Sequence, residues 1–143
     1  MSPTPRPPYL LIREGKAFWV EGRPPIESSA TLQALEEGCF HDAWCYDATG
    51  TLWRIVTATL KGQPSFLQRV LPWRRVPVAL EVGMPTHVGV ADIISRLARV
   101  LRSDNEFCEY LRASPMDILH RFEAARTPSD VIRVARDYGY RTA

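Results

Sequence analysis

Residues 40–60 read FHDAWCYDATGTLWRIVTATL, and the class of the fold turns on them. Two runs rich in aromatic and β-branched residues, Phe40–Asp47 and Thr51–Leu60, flank the turn-type cluster Asp47-Ala48-Thr49-Gly50. Such runs suit a half-buried pleat, and the break between them suits a hairpin connection. Side chains alternate along a strand, so Phe40, Asp42, Trp44 and Tyr46 share one face of the first arm, opposite His41, Ala43, Cys45 and Asp47. In the second arm Trp53, Ile55, Thr57 and Thr59 oppose Leu52, Arg54, Val56, Ala58 and Leu60.

Upstream, Tyr9–Glu14 and Ala17–Glu21 frame Gly15, a residue that supplies the positive φ of a short turn, and predict a first hairpin. It should end at Gly22-Arg23-Pro24-Pro25, because tandem proline cannot continue a ladder. Residues 1–8 form a proline-rich lead-in, mobile or extended. Ser28–Glu37 reads as a short helix, with Ser28, Ser29 and Thr31 all suitable N-caps and Gly38 suited to its end.

Downstream, Gly62-Gln63-Pro64-Ser65 breaks the central hairpin, Phe66–Leu71 allows one helical turn, and Pro72-Trp73-Arg74-Arg75 leads into a strand over Val76–Val82. Pro77 points to an edge position or a strand start. Beyond Gly83 the apolar period changes from two to about 3.6. Val90, Ile93, Ile94, Leu97, Val100 and Leu101 make a helical stripe. Ser103 or Asp104 then caps a short helix with Phe107, Cys108 and Leu111 inward. Ser114-Pro115-Met116-Asp117 and Thr127-Pro128-Ser129-Asp130 each place a hydroxyl at the N-cap, proline at the first helical position and a carboxylate at the third. Gly139 closes the last helix. Strands come first and helices after, an α+β order. The expectation is one α+β domain over 9–143: an antiparallel sheet of about five strands from 9–82, with the helices of 88–139 packed on one face; the alternation permits a bare second face.

The chain's 143 residues, 45% hydrophobic and 24% charged, fit one domain with a core that needs no metal or disulfide staple. No apolar run reaches the ~18 residues of a membrane span. The start, MSPTPRPPY, does not read as a secretory signal, and a cytoplasmic location is expected. Residues 1–75 hold nine basic and seven acidic side chains and residues 76–143 nine of each, so charge is not segregated as in a nucleic-acid arm. Sixteen of the eighteen basic residues are arginine, the cation suited to bidentate and stacking contacts. Three cysteines, Cys39, Cys45 and Cys108, read as free thiols in a reducing compartment.

Chemistry-bearing patterns are sparse. Cys39, His41 and Cys45 share strand parity, but an extended run holds its ends roughly 20 Å apart. A zinc site would need a bend and a fourth ligand from His87, His120 or Cys108, and packing explains the cluster better. No metal or cofactor is expected. His41 and Asp42 face opposite ways, and no G-x-S-x-G or glycine-rich phosphate loop is present. Trp73, Arg74 and Arg75, with Arg69, interleave cations with an aromatic. That arrangement serves stacked bases and phosphates, a protein partner, or a buried tryptophan rimmed by arginines.

Tyr9–Glu21 (YLLIREGKAFWVE), Gly38–Val56 (GCFHDAWCYDATGTLWRIV) and Leu71–Val82 (LPWRRVPVALEV) resemble small bacterial immunity proteins. Those proteins neutralise the secreted polymorphic toxins, type VI effectors among them, that are encoded beside them. The resemblance implies a non-catalytic protein that binds a cognate toxin. Asp42, Trp44 and Tyr46 on one sheet face, and Trp73-Arg74-Arg75, are the expected contacts. Against a nucleic-acid-cleaving toxin with a basic cleft, Glu14, Glu21, Glu36, Glu37 and Asp42 would serve instead. A nucleic-acid-binding or regulatory module built on the Trp73 cluster is the alternative, and a small enzyme with a dispersed site the second. The balanced charge stands against nucleic acid as the main partner, and a homodimer is compatible with the chain. DVIRVARDYGY resembles the closing helix of nitrogen-fixation-associated leader peptides, without their double-glycine signal, and reads as a generic helical ending.

Overall fold

The computed structural model describes residues 5–22, 27–71, 73–103 and 106–138. Asp104, Pro72, Gly139 and the Arg23-Pro24-Pro25 break lie outside the described residues. Six strands form one antiparallel sheet: β1 (Tyr9–Arg13), β2 (Ala17–Glu21), β3 (Glu27–Thr31), β4 (Ala43–Tyr46), β5 (Thr51–Leu60) and β6 (Arg75–His87), in the spatial order β2-β1-β4-β5-β6-β3. Among the described residues six helices accompany them: α1 (Leu32–Glu36), α2 (Phe66–Val70), α3 (Val90–Arg102), α4 (Glu106–Glu109), α5 (Pro115–Glu123) and α6 (Pro128–Tyr138). The α+β class holds, and both hairpins form as their turn residues require. Gly15 sits at φ +68°, a region an L side chain enters at a cost.

The sixth strand comes from a segment expected to be helical. Residues 27–31 pair along β6, Ser28 opposite Val78 and Ala30 opposite Val76. Of the three hydroxyl candidates only Thr31 caps a helix, accepting from the Ala34 N–H at 3.1 Å. Three N-cap candidates within four residues cannot fix where a helix begins, and pairing with β6 decides it. β6 itself runs five residues past Val82. Pro77 is inside the sheet rather than at its edge. Its carbonyl accepts from Lys61 N–H at 3.0 Å, one residue beyond the end of β5. The N–H and C=O of a residue point to the same side of an antiparallel strand, so the donor Pro77 lacks falls where that ladder stops.

Two bulges shape the β5–β6 pair. Arg54 pairs with Gly83 and Leu52 with Thr86, leaving two residues of β6 opposite Trp53; Ile55 pairs with Val82 and Thr57 with Glu81, leaving Val56 unmatched. An unmatched residue reverses the alternation. Trp53 and Ile55 point inward before Val56, and Ala58 and Leu60 lean inward after it, which corrects the uniform alternation expected for this strand.

The second sheet face is not bare. Register groups Leu11, Trp19, Cys45, Trp53, Ile55, Val78 and Leu80 on one side, all buried, lining the inside of a sheet curled nearly into a barrel. Its outer edges meet through side chains: Trp19 Nε1 donates to Ser28 Oγ at 3.2 Å, and Ser28 Oγ donates to Glu21 Oε1 at 3.0 Å. The other side carries Leu10, Ile12, Phe18, Tyr46 and Leu52, where α6 covers β1 and β2 and α3 covers β2. Phe18 meets Phe107 and Phe122 edge-on, with centroids 4.9 and 5.6 Å away. The caps of α5 and α6 form as expected: Ser114 Oγ accepts from Asp117 N–H and Thr127 Oγ1 from Asp130 N–H, each at 3.2 Å. Ser103 instead ends α3.

The turn between β4 and β5 is organised by one carboxylate. Asp47 is 1% exposed. Its Oδ1 accepts from Thr49 N–H (2.9 Å), Thr49 Oγ1 (2.6 Å) and Thr51 N–H (3.2 Å), and its Oδ2 from Trp53 Nε1 and Arg6 N–H (both 3.2 Å). The Arg6 bond ties the lead-in to the sheet.

Candidate functional site

β5 and β6 are joined by residues 61–74, and that connection makes the most unusual surface of the described chain. α2 within it has five residues and buries none. So short a helix has no stability of its own. A capping box holds it, Ser65 Oγ accepting from Gln68 N–H at 3.2 Å while Gln68 Oε1 accepts from Ser65 N–H at 2.8 Å. The helix thereby presents Phe66 (77% exposed), Leu67 and Val70 to solvent, next along the chain to Trp73 (70% exposed). Four large apolar side chains within eight residues are not the scattered exposure every surface shows.

Charge follows the same segment. Residues 61–75 contain Lys61, Arg69, Arg74 and Arg75 and no acidic residue. Lys61 is paired with Glu27. Arg75 is drawn to β3, Nε donating to Ser29 Oγ at 2.8 Å and a terminal nitrogen to the Ser29 carbonyl at 2.5 Å. Arg69 and Arg74 are exposed. The surface is apolar at its centre and cationic around it. Trp73 is not the buried tryptophan that one sequence reading offered.

The other expected contacts fall differently. Asp42 is half-buried and lies 3.7 Å from Arg13 Nε and 3.3 Å from Lys16 Nζ. Trp44 is half-buried with two guanidinium groups near its ring, Arg96 at 5.1 Å and Arg54 at 6.0 Å from the centroid. Arg96 and Arg99 donate to Glu14 at 2.8 and 2.7 Å, so this lattice ties α3 to the sheet. Tyr46 has no exposed surface and none to offer a partner: helix α6 and the β4–β5 turn cover the face it was assigned to. Of the acidic candidates, Glu14 and Asp42 have cationic partners, Glu21 holds the Trp19–Ser28 seam, and Glu36 and Glu37 are exposed at the end of α1.

The soft-ligand cluster does not converge. Cys45 is buried in the core, Cys39 half-buried and His41 exposed, and no group of three or more His, Cys, Asp or Glu among the described residues is placed to hold a metal ion. Burial pushes the Cys45 thiol far up, and it pushes Cys39 up against the pull of Arg13 and Arg75. Neither is set up as a thiolate nucleophile. Cys108 Sγ lies 3.4 Å from the Val100 and Ser103 carbonyl oxygens, closing the end of α3. No helix among the described residues is long and apolar enough to cross a membrane.

Sequence reading missed Phe66, Leu67 and Val70. The signal was present as Ser65-x-x-Gln68, a capping box that starts a helix, followed after five residues by the approach to Pro72, which leaves no room for a buried stripe. Compared with protein-family models, curated proteins and solved structures, the chain matches none.

Proposed function

We propose that this protein is a non-catalytic immunity protein that binds and neutralises a cognate secreted toxin, with the β5–β6 connection as its principal contact. The observation that carries the reading is the exposed set Phe66, Leu67, Val70 and Trp73 bordered by Arg69 and Arg74. Binding energy in protein interfaces concentrates in a few aromatic and arginine anchors that become fully desolvated on association. A central apolar group with a cationic rim has that composition, and its charge favours an acidic docking surface on the toxin.

The test is co-expression with the product of the neighbouring open reading frame. A growth defect rescued by this chain, with a stable complex on gel filtration, is the expected result. Trp73→Ala combined with Phe66→Ala should weaken the complex at least a hundredfold, since truncating each anchor costs about 2 kcal/mol. Finding neither rescue nor association would remove the proposal.

The lack of any acid in residues 61–75 favours one second reading, a nucleic-acid-binding or regulatory module. That reading requires affinity to fall steeply with salt. A gel shift showing no complex at low ionic strength would dispose of it.

A further inference from the structure

The curled sheet does not close along its whole seam. Trp19, Ser28 and Glu21 join the outer edges of β2 and β3; elsewhere along the seam lies a cleft of about 520 Å³, within the ~300–1,000 Å³ typical of small-molecule sites. Its wall on the β1–β2 side carries Arg13 and Lys16, and its wall on the β3–β6 side carries Arg75. Trp19 and Phe40 meet within it, ring centroids 6.2 Å apart, and Tyr110 stands at its margin.

Electrostatics make the cleft more than a packing gap. Among the described residues three cations line it, against Glu106 in the lining and Asp42 beside Arg13 and Lys16, which leaves one positive charge in excess among them. Arg13 Nε is buried without a hydrogen-bond partner among the described residues, its nearest carboxylate oxygen being 3.7 Å away. Arg13 and Arg75 line the cleft from its two walls, and Cys39 is in the lining with them. Guanidinium groups that converge across a cavity match the paired oxygens of a carboxylate or phosphate. Aromatic walls match a flat ring.

We propose that this cleft binds a small planar organic anion, its charged oxygens between Arg13, Lys16 and Arg75 and its ring against Trp19, Phe40 and Tyr110. The site stands independently of the toxin reading, because none of Phe66, Leu67, Val70 and Trp73 lines it.

The experiment is titration of the full chain, uniformly ¹⁵N-labelled, with four probes: indole-3-acetate, adenosine 5′-monophosphate, neutral indole and inorganic phosphate. Saturable shifts of the Ala17, Ala30 and Phe107 amides are expected with at least one of the two ring-bearing anions. Binding of indole-3-acetate shows that a carboxylate suffices as head group, and binding of adenosine 5′-monophosphate that a phosphate does. Indole should bind about tenfold or more weakly, since a charge-assisted hydrogen bond contributes about that factor, and phosphate alone should also bind about tenfold or more weakly, since it forfeits the ring's stacking contact of about 1–3 kcal/mol. Lys16→Gln and Arg75→Gln, both at exposed residues, should each lower affinity about tenfold while the spectrum stays that of the folded chain. The proposal is overturned if neither ring-bearing anion gives saturable shifts at about 10 mM, a concentration that detects even millimolar binding. It is equally overturned if indole binds as well as indole-3-acetate, or if the shifts map to residues 66–73.

Discussion

Replacing Asp47 by alanine should be among the most damaging single changes in the protein. The side chain is buried and accepts from five donors. Their fates on truncation differ. Trp53 Nε1 is itself buried, and an enclosed donor left without an acceptor costs about 1–3 kcal/mol. Thr49 N–H and Thr51 N–H sit at a turn where water can reach them, so each loses only about 0.5–1.5 kcal/mol. These three losses total roughly 2–6 kcal/mol, centred near about 4, against roughly 5–15 kcal/mol for a whole domain. In a chain of this length that corresponds to a melting temperature about 10–15 °C lower. Urea unfolding followed by far-ultraviolet circular dichroism reads it directly, with the midpoint falling and the slope unchanged. A double-mutant cycle with Trp53→Phe separates the parts, because a phenylalanine presents no orphan donor. Removing both partners should be less costly than the two single losses added together. A loss below about 0.5 kcal/mol for Asp47→Ala, or strict additivity with Trp53→Phe, would refute the claim that this carboxylate organises the turn.

Other perturbations have equally definite outcomes. Burial and the Asp47 carboxylate push the Tyr46 hydroxyl up to about 12, and burial likewise raises Cys45 and Tyr9. Acids whose folded pKa is raised stabilise the fold below their unfolded values, so stability should be flat at neutral pH and decline from about pH 9 upward. Urea midpoints between pH 7 and 11 check this. Tyr46→Phe removes the upper part of that decline and also a buried hydroxyl with no partner among the described residues; at pH 7 it should be neutral or stabilising by up to about 1 kcal/mol. Gly50→Ala should destabilise by about 1–2 kcal/mol in the same assay, because Gly50 sits at φ +83° and a Cβ there would lie 3.2 Å from Pro128 Cγ. Phe66→Ala and Trp73→Ala should leave the melting temperature within about 2 °C of the parent, whereas Phe18→Ala, deep between Phe107 and Phe122, should cost about 3–5 kcal/mol.

How far the fold could be read depended on whether a residue's role was set by near neighbours in sequence. Gly15, Ser114-Pro115 and Thr127-Pro128 act within a turn or a first helical turn, and each appears where its chemistry requires. Residues 28–31 were misread because hydroxyl side chains serve an N-cap or an edge strand equally well; the choice belongs to β6, some 45 residues away. The β5 alternation failed at Val56 for a related reason. A bulge is a property of two strands in register, and nothing in Ile55-Val56-Thr57 alone announces the extra residue. Tyr46 is buried because both sides of this sheet are covered: the side that carries Cys45 lines the inside of the curl, and the side that carries Tyr46 is the one the helices pack on.

The same curl accounts for both candidate surfaces. A flat six-stranded sheet would leave β2 and β3 as distant open edges; here Trp19, Ser28 and Glu21 bring them together, and the length of seam those contacts leave open becomes a cleft with cationic walls. A long hairpin bent by two bulges puts its connection, residues 61–74, beyond the reach of α3, α5 and α6, so nothing covers Phe66 or Trp73. Each surface therefore follows from how strands separated by tens of residues meet, not from a contiguous motif, which is why neither candidate surface is marked by a signature in the sequence. Straightening the sheet should abolish the cleft first. Ser28→Ala, which removes the hydroxyl shared by Trp19 and Glu21, should weaken ring-bearing anions in the cleft while leaving the exposure of Trp73 to fluorescence quenchers unchanged. Loss of both together would mean that the two surfaces are not separately built.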